Sequence, residues 1–213
     1  MPLRRIITSL TSVALLGAAS LAAAAPASAD GSGGSTASGT RSLAAVLAMD
    51  GAGFDRNWSD YDILDNAVTA VLAAKPDSAV AVLADGSVPL TAFLPTDRAF
   101  KRLAHDLTDK DYRSESAVFA DVASLGIATV EAVLLYHVVP GATITYRKAL
   151  RSDGVELTTA AGGTVKVNVD DRRVILVDAD RNDANPVVVQ ENINKGNLQI
   201  AHGISRVLRP VNL

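Results

Sequence analysis

Cysteine is absent from this sequence, aromatic residues are few, and basic residues are not in excess over acidic ones. Without cysteine the chain cannot form a disulfide-stabilised scaffold, a thiolate zinc site, a cysteine nucleophile or a lipid-modified thiol. The aromatic residues (four Phe, four Tyr, one Trp) do not alternate with basic residues as they do in a base-stacking surface. The 20 Lys and Arg against 23 Asp and Glu lack the basic excess typical of nucleic-acid-binding proteins. We therefore expect no nucleic acid among its partners.

The sequence does have a large aliphatic fraction. Hydrophobic residues make up 48% of the 213 residues, and Ala, Val and Leu supply most of them. A chain this rich in apolar residues, with only 20% charged residues, is not intrinsically disordered. Its length fits one domain or two small ones, and its core is expected to be aliphatic.

Residues 1–29 have the three parts of a secretory signal peptide. Arg4 and Arg5 form a basic start, a predominantly apolar run follows, and Ala27 and Ala29 supply a small-x-small cleavage site. Cleavage after Ala29 is favoured over an uncleaved membrane anchor, because several Ser and Thr residues interrupt the run and weaken it as a membrane-spanning helix. We expect a secreted protein with 18 basic and 23 acidic residues, formally −5, and no stable membrane insertion after cleavage.

Composition divides the rest of the chain into three parts. Residues 30–41 are rich in Gly, Ser and Thr and predict a flexible linker. Residues 42–58 predict an N-terminal helical extension, and residues 59–213 a single domain without internal repeats. The glycines of the linker lack the Lys and the strand–helix context of a phosphate-binding loop, so a nucleotide site is not expected there.

The apolar periodicity changes along the chain from helical to twofold. Spacings of three and four predict helices over 42–49, 59–75, 96–107, 116–125 and 129–138, with Thr96 as the N-cap and Asp97 in the first turn of the third. Short apolar or alternating runs predict strands over 80–83, 90–94, 155–157, 165–169, 174–176, 187–189 and 200–208. Helices followed by hairpins indicate an α+β domain or a β-sandwich with a helical side.

Three segments, in this order, resemble the signatures of the fasciclin-type domain family. They are Thr91–Phe100 (TAFLPTDRAF), Leu134–Gly141 (LLYHVVPG) and His202–Pro210 (HGISRVLRP). The resemblance covers residues 59–213 and implies an α+β fold, a wedge-shaped β-sandwich flanked by several helices, used for extracellular adhesion or binding rather than catalysis. The family-motif residues, taken as structural or interacting, are Thr91, Phe93, Pro95, Thr96, Asp97, Phe100, Tyr136, His137, Asn192, Ile193 and His202.

The chain departs from the family pattern near its last strand. Animal members often carry an Asp-Ile pair tied to integrin binding, and the matching positions here are Asn192 and Ile193. Because the carboxylate is absent, a metal-bridged, integrin-like contact is not expected. Ser205 replaces the Asp that typically follows the closing His motif, and the stretch over 76–89 is longer than the resemblance implies.

The histidines, His105, His137 and His202, are the first candidates for catalysis. The resemblance places His137 near the Thr96–Asp97 turn, where a hydroxyl, an imidazole and a carboxylate would form a nucleophile–base–orienter arrangement. The same contacts would equally satisfy buried polar groups, and the sequence has neither a Gly-x-Ser-x-Gly turn nor a Gly-rich oxyanion loop. We interpret His137 and His202 as structural and His105 as solvated, and assign no catalytic residue.

Residues 178–185 (DADRNDAN) space oxygen ligands like a calcium-binding loop. They lack the Gly at the sixth position and the Glu at the twelfth, where Val189 stands. A solvated acidic loop between strands is the favoured interpretation. No metal or cofactor is assigned.

Trp58, the single tryptophan, lies just before the second predicted helix. A tryptophan at such a place is more often a cover over the core than a platform for a ligand, and we favour that interpretation. Asn57 and Ser59 complete a glycosylation acceptor, which the bacterial-looking composition argues against.

These observations predict a secreted, monomeric, fasciclin-like protein that binds an extracellular protein or a cell-wall or matrix polysaccharide, without a cofactor and without catalysis. Its expected location is extracellular, with non-covalent association with the cell wall. Two alternatives stay open. One is an exported hydrolase that uses the His137 neighbourhood, and the other is a passive structural protein of the cell wall.

Overall fold

The computed structural model describes residues 38–49, 51 and 53–211. The predicted signal peptide and residues 30–37 of the predicted linker lie outside the described residues. The helices are α1 (Leu43–Leu47), α2 (Asp62–Ala74), α3 (Asp97–Thr108), α4 (Glu115–Ser124), α5 (Ile127–Tyr136) and α6 (Tyr146–Ala149), with a 3-10 helix over Ala79–Ala84. The strands are β1 (Leu90–Pro95), β2 (Val138–Pro140), β3 (Glu156–Thr158), β4 (Thr164–Asp170), β5 (Arg173–Val177), β6 (Val188–Ile193) and β7 (Gln199–Ile204).

The strands form two sheets. The four-stranded sheet has the order β2-β1-β7-β6, in which β1 and β7 run parallel and the two outer pairs are antiparallel. The parallel register sets Phe93 beside His202 and Pro95 beside Ile204, which brings the first and last motifs together. The three-stranded sheet, β3-β4-β5, is an antiparallel meander.

A separate hydrophobic cluster covers each face of the four-stranded sheet. On one face, Ala92 and Leu94 of β1 pack with apolar residues of α1 to α5, which we call the helical cluster. On the other face, Phe93 and Ile204 belong to the intersheet cluster. The three-stranded sheet contributes Val165, Val167, Val174 and Leu176 to the intersheet cluster. The α+β fold predicted from the sequence, with packed sheets and flanking helices, is therefore confirmed.

The predicted strand over 80–83 is wrong, because this segment is part of the 3-10 helix. Ser78 Oγ accepts the N–H of Val80 at 3.2 Å and caps the helix. Val80 and Leu83, three residues apart, both face the core, as the 3-10 repeat requires. A short apolar run does not by itself distinguish a strand from a buried helical turn.

Two predicted elements end earlier than expected. The helix predicted over 129–138 ends at Tyr136, because the chain then pairs with β1 as strand β2. The strand predicted over 200–208 ends at Ile204, because its partner β1 ends at the matching Pro95, two residues before α3 begins at Asp97. Strand pairing between distant segments thus determines where α5 and β7 end. The short helix α6 and strand β2 have no counterpart in the sequence prediction.

The chain before the predicted domain packs against it. Gly39, in the described end (38–41) of the predicted linker, forms a bridge with the turn between β6 and β7. The N–H of Leu43 donates to Oε1 of Gln199 at 2.8 Å, and Leu43 lies fully buried in the helical cluster. The predicted helical extension over 42–58 therefore contributes to the domain core.

Among the described residues, no single helix is long and apolar enough to cross a membrane. Helices α4 and α5 pass that test only when taken together, and they are bent by 105° where they meet.

Candidate functional site

The first motif forms β1 and the start of α3. Thr91 Oγ1 donates to the carbonyl of Ala142 at 2.6 Å and accepts the N–H of Ile144 at 2.9 Å, so it holds the segment after β2 against β1. Phe93 packs in the intersheet cluster and Phe100 in the helical cluster. The two aromatic side chains of the motif therefore lie in the two cores.

The turn between β1 and α3 places a hydroxyl and a carboxyl group side by side in the sequence, both buried but with different hydrogen-bond partners. Pro95 ends β1, and Thr96 Oγ1 accepts the N–H of Ala99 at 3.4 Å as the N-cap of α3, as predicted. Asp97 is fully buried, and its Oδ1 accepts the N–H of Ile63 at 3.0 Å. Asp97 therefore joins the start of α3 to the start of α2.

His137 follows α5 and is 4% exposed. Its Nδ1 lies 2.7 Å from the carbonyl oxygen of Val133 and its Nε2 lies 2.9 Å from the backbone nitrogen of Leu208, so Nδ1 carries the proton and Nε2 accepts. Burial lowers the pKa of His137 to about 4, and the ring is neutral at pH 7. Because main-chain groups occupy both nitrogens, His137 does not form the predicted alternative arrangement with Thr96 and Asp97.

Tyr136 precedes His137 and joins α5 to the second sheet. Its ring is buried in the intersheet cluster, and its hydroxyl donates to the carbonyl of Thr164 at 2.7 Å. A Cβ on Gly163 would lie 2.9 Å from the Tyr136 ring. The absence of a side chain at Gly163 therefore makes room for the tyrosine ring.

The last motif places His202 in the centre of β7, where it is 1% exposed. Its Nδ1 accepts the N–H of Asn192 at 3.3 Å, and its Nε2 donates to the carbonyl of Ile144 at 2.8 Å. Burial lowers the pKa of His202. Asn192 has a left-handed φ of 55°, and its Oδ1 accepts the N–H of Tyr146 at 2.9 Å. Asn192 thus fixes an irregularity of β6, while Ile193 packs against the helical cluster.

Five carboxyl groups meet where α2, α3 and α4 begin, and we call them the acidic cluster: Asp55, Asp60, Asp62, Asp97 and Glu115. Oxygen atoms of Asp55, Asp60 and Glu115 lie within 4.8 Å of one another. The same holds for oxygen atoms of Asp60, Asp62 and Asp97, so Asp60 belongs to both groups. Only Asp55 is exposed.

Burial dominates the electrostatics of the acidic cluster. Burial, followed by a hydrogen-bonding contact with Asp60, raises the pKa of Asp97 to about 8. Burial also raises the pKa of Glu115. The pKa of the neighbouring Tyr61 is raised by burial and by the charges of Asp60 and Asp97. The sequence motif marks Asp97 but not its neighbours, which come from two other segments of the chain, residues 55–62 and the start of α4.

The acidic loop over 178–185 lies between β5 and β6, as predicted, but Arg209 holds it and its Asp180 is buried rather than solvated. Nη1 of Arg209 lies 3.2 Å from Oδ2 of Asp180, and Nη2 lies 2.6 Å from Oδ2 of Asp106. The N–H of Arg209 donates to Oδ2 of Asp178 at 2.8 Å. Asp180 is 3% exposed. These carboxylates face a guanidinium group and main-chain donors rather than one another.

A groove of about 510 Å³ follows the exposed face of α3. We call it the basic groove, and its lining side chains are Trp58, Arg98, Lys101, Arg102, His105, Asp106, Lys110, Asp111, Tyr112 and Arg206. Arg98, Lys101, Arg102 and His105 recur at intervals of three and four, so they share the helix face opposite the buried one. This spacing is visible in the sequence, but a charged helix face alone is typical of any solvated helix.

The cations of the basic groove are held in different ways. Nζ of Lys101 lies 4.4 Å from the centroid of the Trp58 ring, a cation–π contact that limits its motion. Arg102 donates to a backbone carbonyl at 2.7 Å, and Lys110 pairs with an acidic neighbour at 3.5 Å. Arg98 is exposed, and within the described part of the chain neither Arg98 nor Lys101 forms an ion pair with a carboxylate. Trp58 is half-buried, and it both packs on the helical cluster and lines the groove.

A second groove, of about 650 Å³, lies beside α6. Its charged lining residues are Arg147, Arg172, Lys195 and Glu191. It has fewer cations than the basic groove and includes Asn192 of the last motif. Both grooves therefore carry local positive charge on a protein whose formal net charge is −3.

Comparison with known proteins confirms the resemblance predicted from the three motifs. The family model of the fasciclin domain matches residues 65–210. Among solved structures, the FAS1 domain pair of the insect cell adhesion molecule Fasciclin I matches with a TM-score of 0.50 and 17% sequence identity, over 71% of this chain and 48% of that chain. This chain thus spans about half the length of that domain pair, and at this identity the likeness shows the fold alone. A comparison with curated proteins finds no match.

Proposed function

The chain belongs to the fasciclin domain family, and on that premise we propose that it is an extracellular binding protein whose basic groove binds an acidic polysaccharide. Fasciclin domains are typically extracellular or cell-surface adhesion modules. The secretory signal predicted in residues 1–29 supports the same location. The proposal assigns the protein no catalytic activity.

The buried histidines support binding rather than catalysis. A general base needs a ring nitrogen that can reach a substrate proton. In His137 and His202 both ring nitrogens instead contact main-chain groups, and burial lowers the pKa of each ring. The hydrolase alternative depends on His137, and these contacts support binding over that alternative.

The single observation that carries the proposal is the basic groove. Its lining contains five cations, Arg98, Lys101, Arg102, Lys110 and Arg206, against two acidic residues, although acidic residues outnumber basic ones in the whole chain. Arg206 pairs with Asp183 at 2.8 Å and Lys110 pairs with Asp121 at 3.5 Å, so Arg98, Lys101 and Arg102 supply most of the available charge. A concave surface lined by one sign of charge concentrates ligands of the opposite sign. Guanidinium groups match carboxylate and phosphate oxygens in a two-pronged geometry. The groove is therefore suited to a ligand with repeated anionic groups.

A polysaccharide fits the lining of the groove better than an acidic protein segment. Protein interfaces are centred on buried aromatic and aliphatic anchors. Within the described part of the chain, the groove is lined by no aliphatic side chain, and Lys101 already covers the ring of Trp58. Charge without an apolar anchor favours a polar, highly hydrated polymer with regularly spaced anions.

The test compares binding of polygalacturonate, which carries one carboxylate per sugar, with binding of neutral dextran of matched length. The protein is expected to bind polygalacturonate and not dextran, and the affinity should fall as salt increases. Replacing both Arg98 and Lys101 with Ala should weaken binding about tenfold, because two cations without carboxylate partners are removed. Titration calorimetry at two salt concentrations measures both effects.

The matched control replaces Arg147 and Lys195 with Ala in the second groove, which removes the same charge elsewhere. It should leave the affinity unchanged. Equal losses in the two double variants would mean that net charge alone attracts the polymer, which would overturn the assignment to the basic groove. Tighter binding of polyglutamate than of polygalacturonate would overturn the polysaccharide proposal in favour of an acidic protein partner. If the protein bound neither polymer, the proposal would be wrong and the hypothesis of a passive structural protein of the cell wall would be favoured.

A further inference from the structure

The acidic cluster contains buried carboxylate oxygens that have no hydrogen-bond donor. Asp60 Oδ1, Asp97 Oδ2 and Glu115 Oε1 are all inaccessible to solvent and lack a donor within the described part of the chain. The three residues are 8%, 0% and 0% exposed. Buried polar atoms are nearly always satisfied by a protein group, a water molecule or an ion. Asp60 and Asp97 are in hydrogen-bonding contact, which requires one proton shared by that pair, so Glu115 Oε1 is the atom that most clearly calls for a positively charged or proton-bearing partner.

The surrounding protein supplies only part of that positive charge. Asp62, Asp97 and Glu115 are the first residues of α2, α3 and α4, so three helix N-termini point toward the cluster. Each terminus is equivalent to roughly half a positive charge, about +1.5 in total. In the described part of the chain, no Lys, Arg or His forms an ion pair with Asp60, Asp97 or Glu115. The negative charge of the carboxylates in the acidic cluster is therefore larger than the positive charge that the helix N-termini supply.

The chemistry of the donors matches a hard cation. Carboxylate oxygens are among the oxygen ligands that Ca²⁺ prefers, at about 2.3–2.6 Å from the ion, and water completes its coordination. Two such ligands on opposite sides of one ion lie about 5 Å apart at most. Oxygen atoms of Asp55, Asp60 and Glu115 lie within 4.8 Å of one another, so one ion of this size can contact all three. Asp55 is exposed and supplies the entry to the site.

We propose that Asp55, Asp60 and Glu115 bind one calcium-sized divalent cation, which joins the segment before α2 to the start of α4. The N–H of Asp55 already donates to Oε2 of Glu115 at 2.7 Å, so the two segments are in contact without the ion. Asp97 faces Asp60 from the other group and is a positioning residue rather than a ligand. The site is separate from the loop over 178–185, whose carboxylates contact Arg209.

The experiment uses terbium luminescence and thermal unfolding of the purified protein after treatment with a chelator. Trp58, the single tryptophan, lies two residues before Asp60, so it should sensitise emission from Tb³⁺ bound there. Ca²⁺ should displace Tb³⁺, with a dissociation constant of about 10⁻⁴–10⁻³ M, the range of extracellular calcium modules. Ca²⁺ at 10 mM should raise the melting temperature by several degrees, because the ion binds only the folded chain. Mg²⁺ should have a smaller effect, because it requires closer, octahedral ligands.

Two isosteric variants test the ligands separately from folding. Asp60→Asn and Asp55→Asn should each abolish the sensitised emission and the calcium-induced shift, and the exposed position of Asp55 keeps its variant folded. Asp178→Asn, in the rejected calcium loop, is the matched control and should retain both effects. The proposal is overturned if no cation changes the melting temperature, if Mg²⁺ acts more strongly than Ca²⁺, or if Asp55→Asn and Asp60→Asn still respond. A cluster satisfied only by protons and water would give the first of these results.

Discussion

His137 accepts a hydrogen bond of 2.9 Å at Nε2 from the backbone N–H of Leu208, 71 residues further along the chain. The other ring nitrogen donates to Val133, one turn earlier in α5. The ring therefore ties the end of α5 to the segment that follows β7. The second motif therefore stabilises the third, and both ring nitrogens of His137 form hydrogen bonds within the fold.

Replacing His137 with Ala is expected to lower the free energy of unfolding by about 3 kcal/mol. The N–H of Leu208 would be buried without an acceptor, and the volume of the ring would be left as a cavity. Urea unfolding of the two proteins measures the difference. His105→Ala is the matched control, because His105 is exposed, and its effect should stay below about 0.5 kcal/mol. Unchanged stability in His137→Ala, with loss of a hydrolase activity, would contradict the structural role.

The contribution of His137 to stability should fall when the pH is lowered, because His137 is buried as the neutral ring. Its pKa is about 4 in the folded protein, against an ordinary value of 6.5. The unfolded chain binds the proton more tightly, so the stabilisation is complete above pH 6.5 and is lost as the pH falls toward 4. The loss from this group is on the order of 3 kcal/mol.

The His137→Gln variant isolates this contribution. Its amide oxygen can accept the N–H of Leu208 but does not titrate, so the difference in unfolding free energy between the two proteins should change by about 3 kcal/mol between pH 4 and 6.5. Asp97, whose pKa is raised by burial, contributes the opposite slope in both proteins and cancels in the difference. Parallel pH profiles for the two proteins would show that His137 does not titrate as described.

Elements with a strong local signal were predictable from the sequence. Helix α3 begins at Asp97 because the hydroxyl of Thr96 caps it, and both signals lie within two residues. Strand β4 alternates in polarity, β5 is a short apolar run, and the turn between them has Asp171 and Arg172, which both have positive φ. The 3-10 helix over Ala79–Ala84 was not predictable, because AVAVLA has no period that separates it from a strand.

The candidate sites were less predictable than the fold, because they join residues from distant segments. Asp97 belongs to a motif, whereas its neighbours Asp60 and Glu115 carry only the weak signal of acids near helix starts. Asp180 was interpreted as a loop residue, and only the tertiary structure places it against Arg209. A local pattern gives the position of a side chain in its own element but not its partners across the fold.

Replacing Arg209 with Met should lower the free energy of unfolding by about 3–5 kcal/mol. The guanidinium lies against the buried carboxylate of Asp180, and its loss leaves that charge without a partner. Adding Asp180→Asn to the Arg209→Met variant should recover part of the loss, because the buried charge is removed. Asp106→Ala is the control, and it should cost less than about 1 kcal/mol because Asp106 is exposed. Additive losses in the double variant would contradict the coupling.

Gly86 is required because residues just before α1 pass directly over it. A Cβ at this position would overlap the carbonyl oxygen of Thr40, which belongs to the backbone and cannot rotate away. Gly86→Ala should therefore lower the free energy of unfolding by about 1–3 kcal/mol and should expose the chain before α1 to proteases.

Gly53→Ala is the matched control for Gly86→Ala. A Cβ at Gly53 meets no atom within 4 Å, and its backbone is not in the left-handed region. The control should be neutral or slightly stabilising, because alanine restricts the unfolded chain. Urea unfolding and limited proteolysis of both variants measure the difference. If the two alanine variants had the same small effect, the segment around Thr40 would not be packed over Gly86. The residues before α1 would then contribute nothing to the stability of the domain.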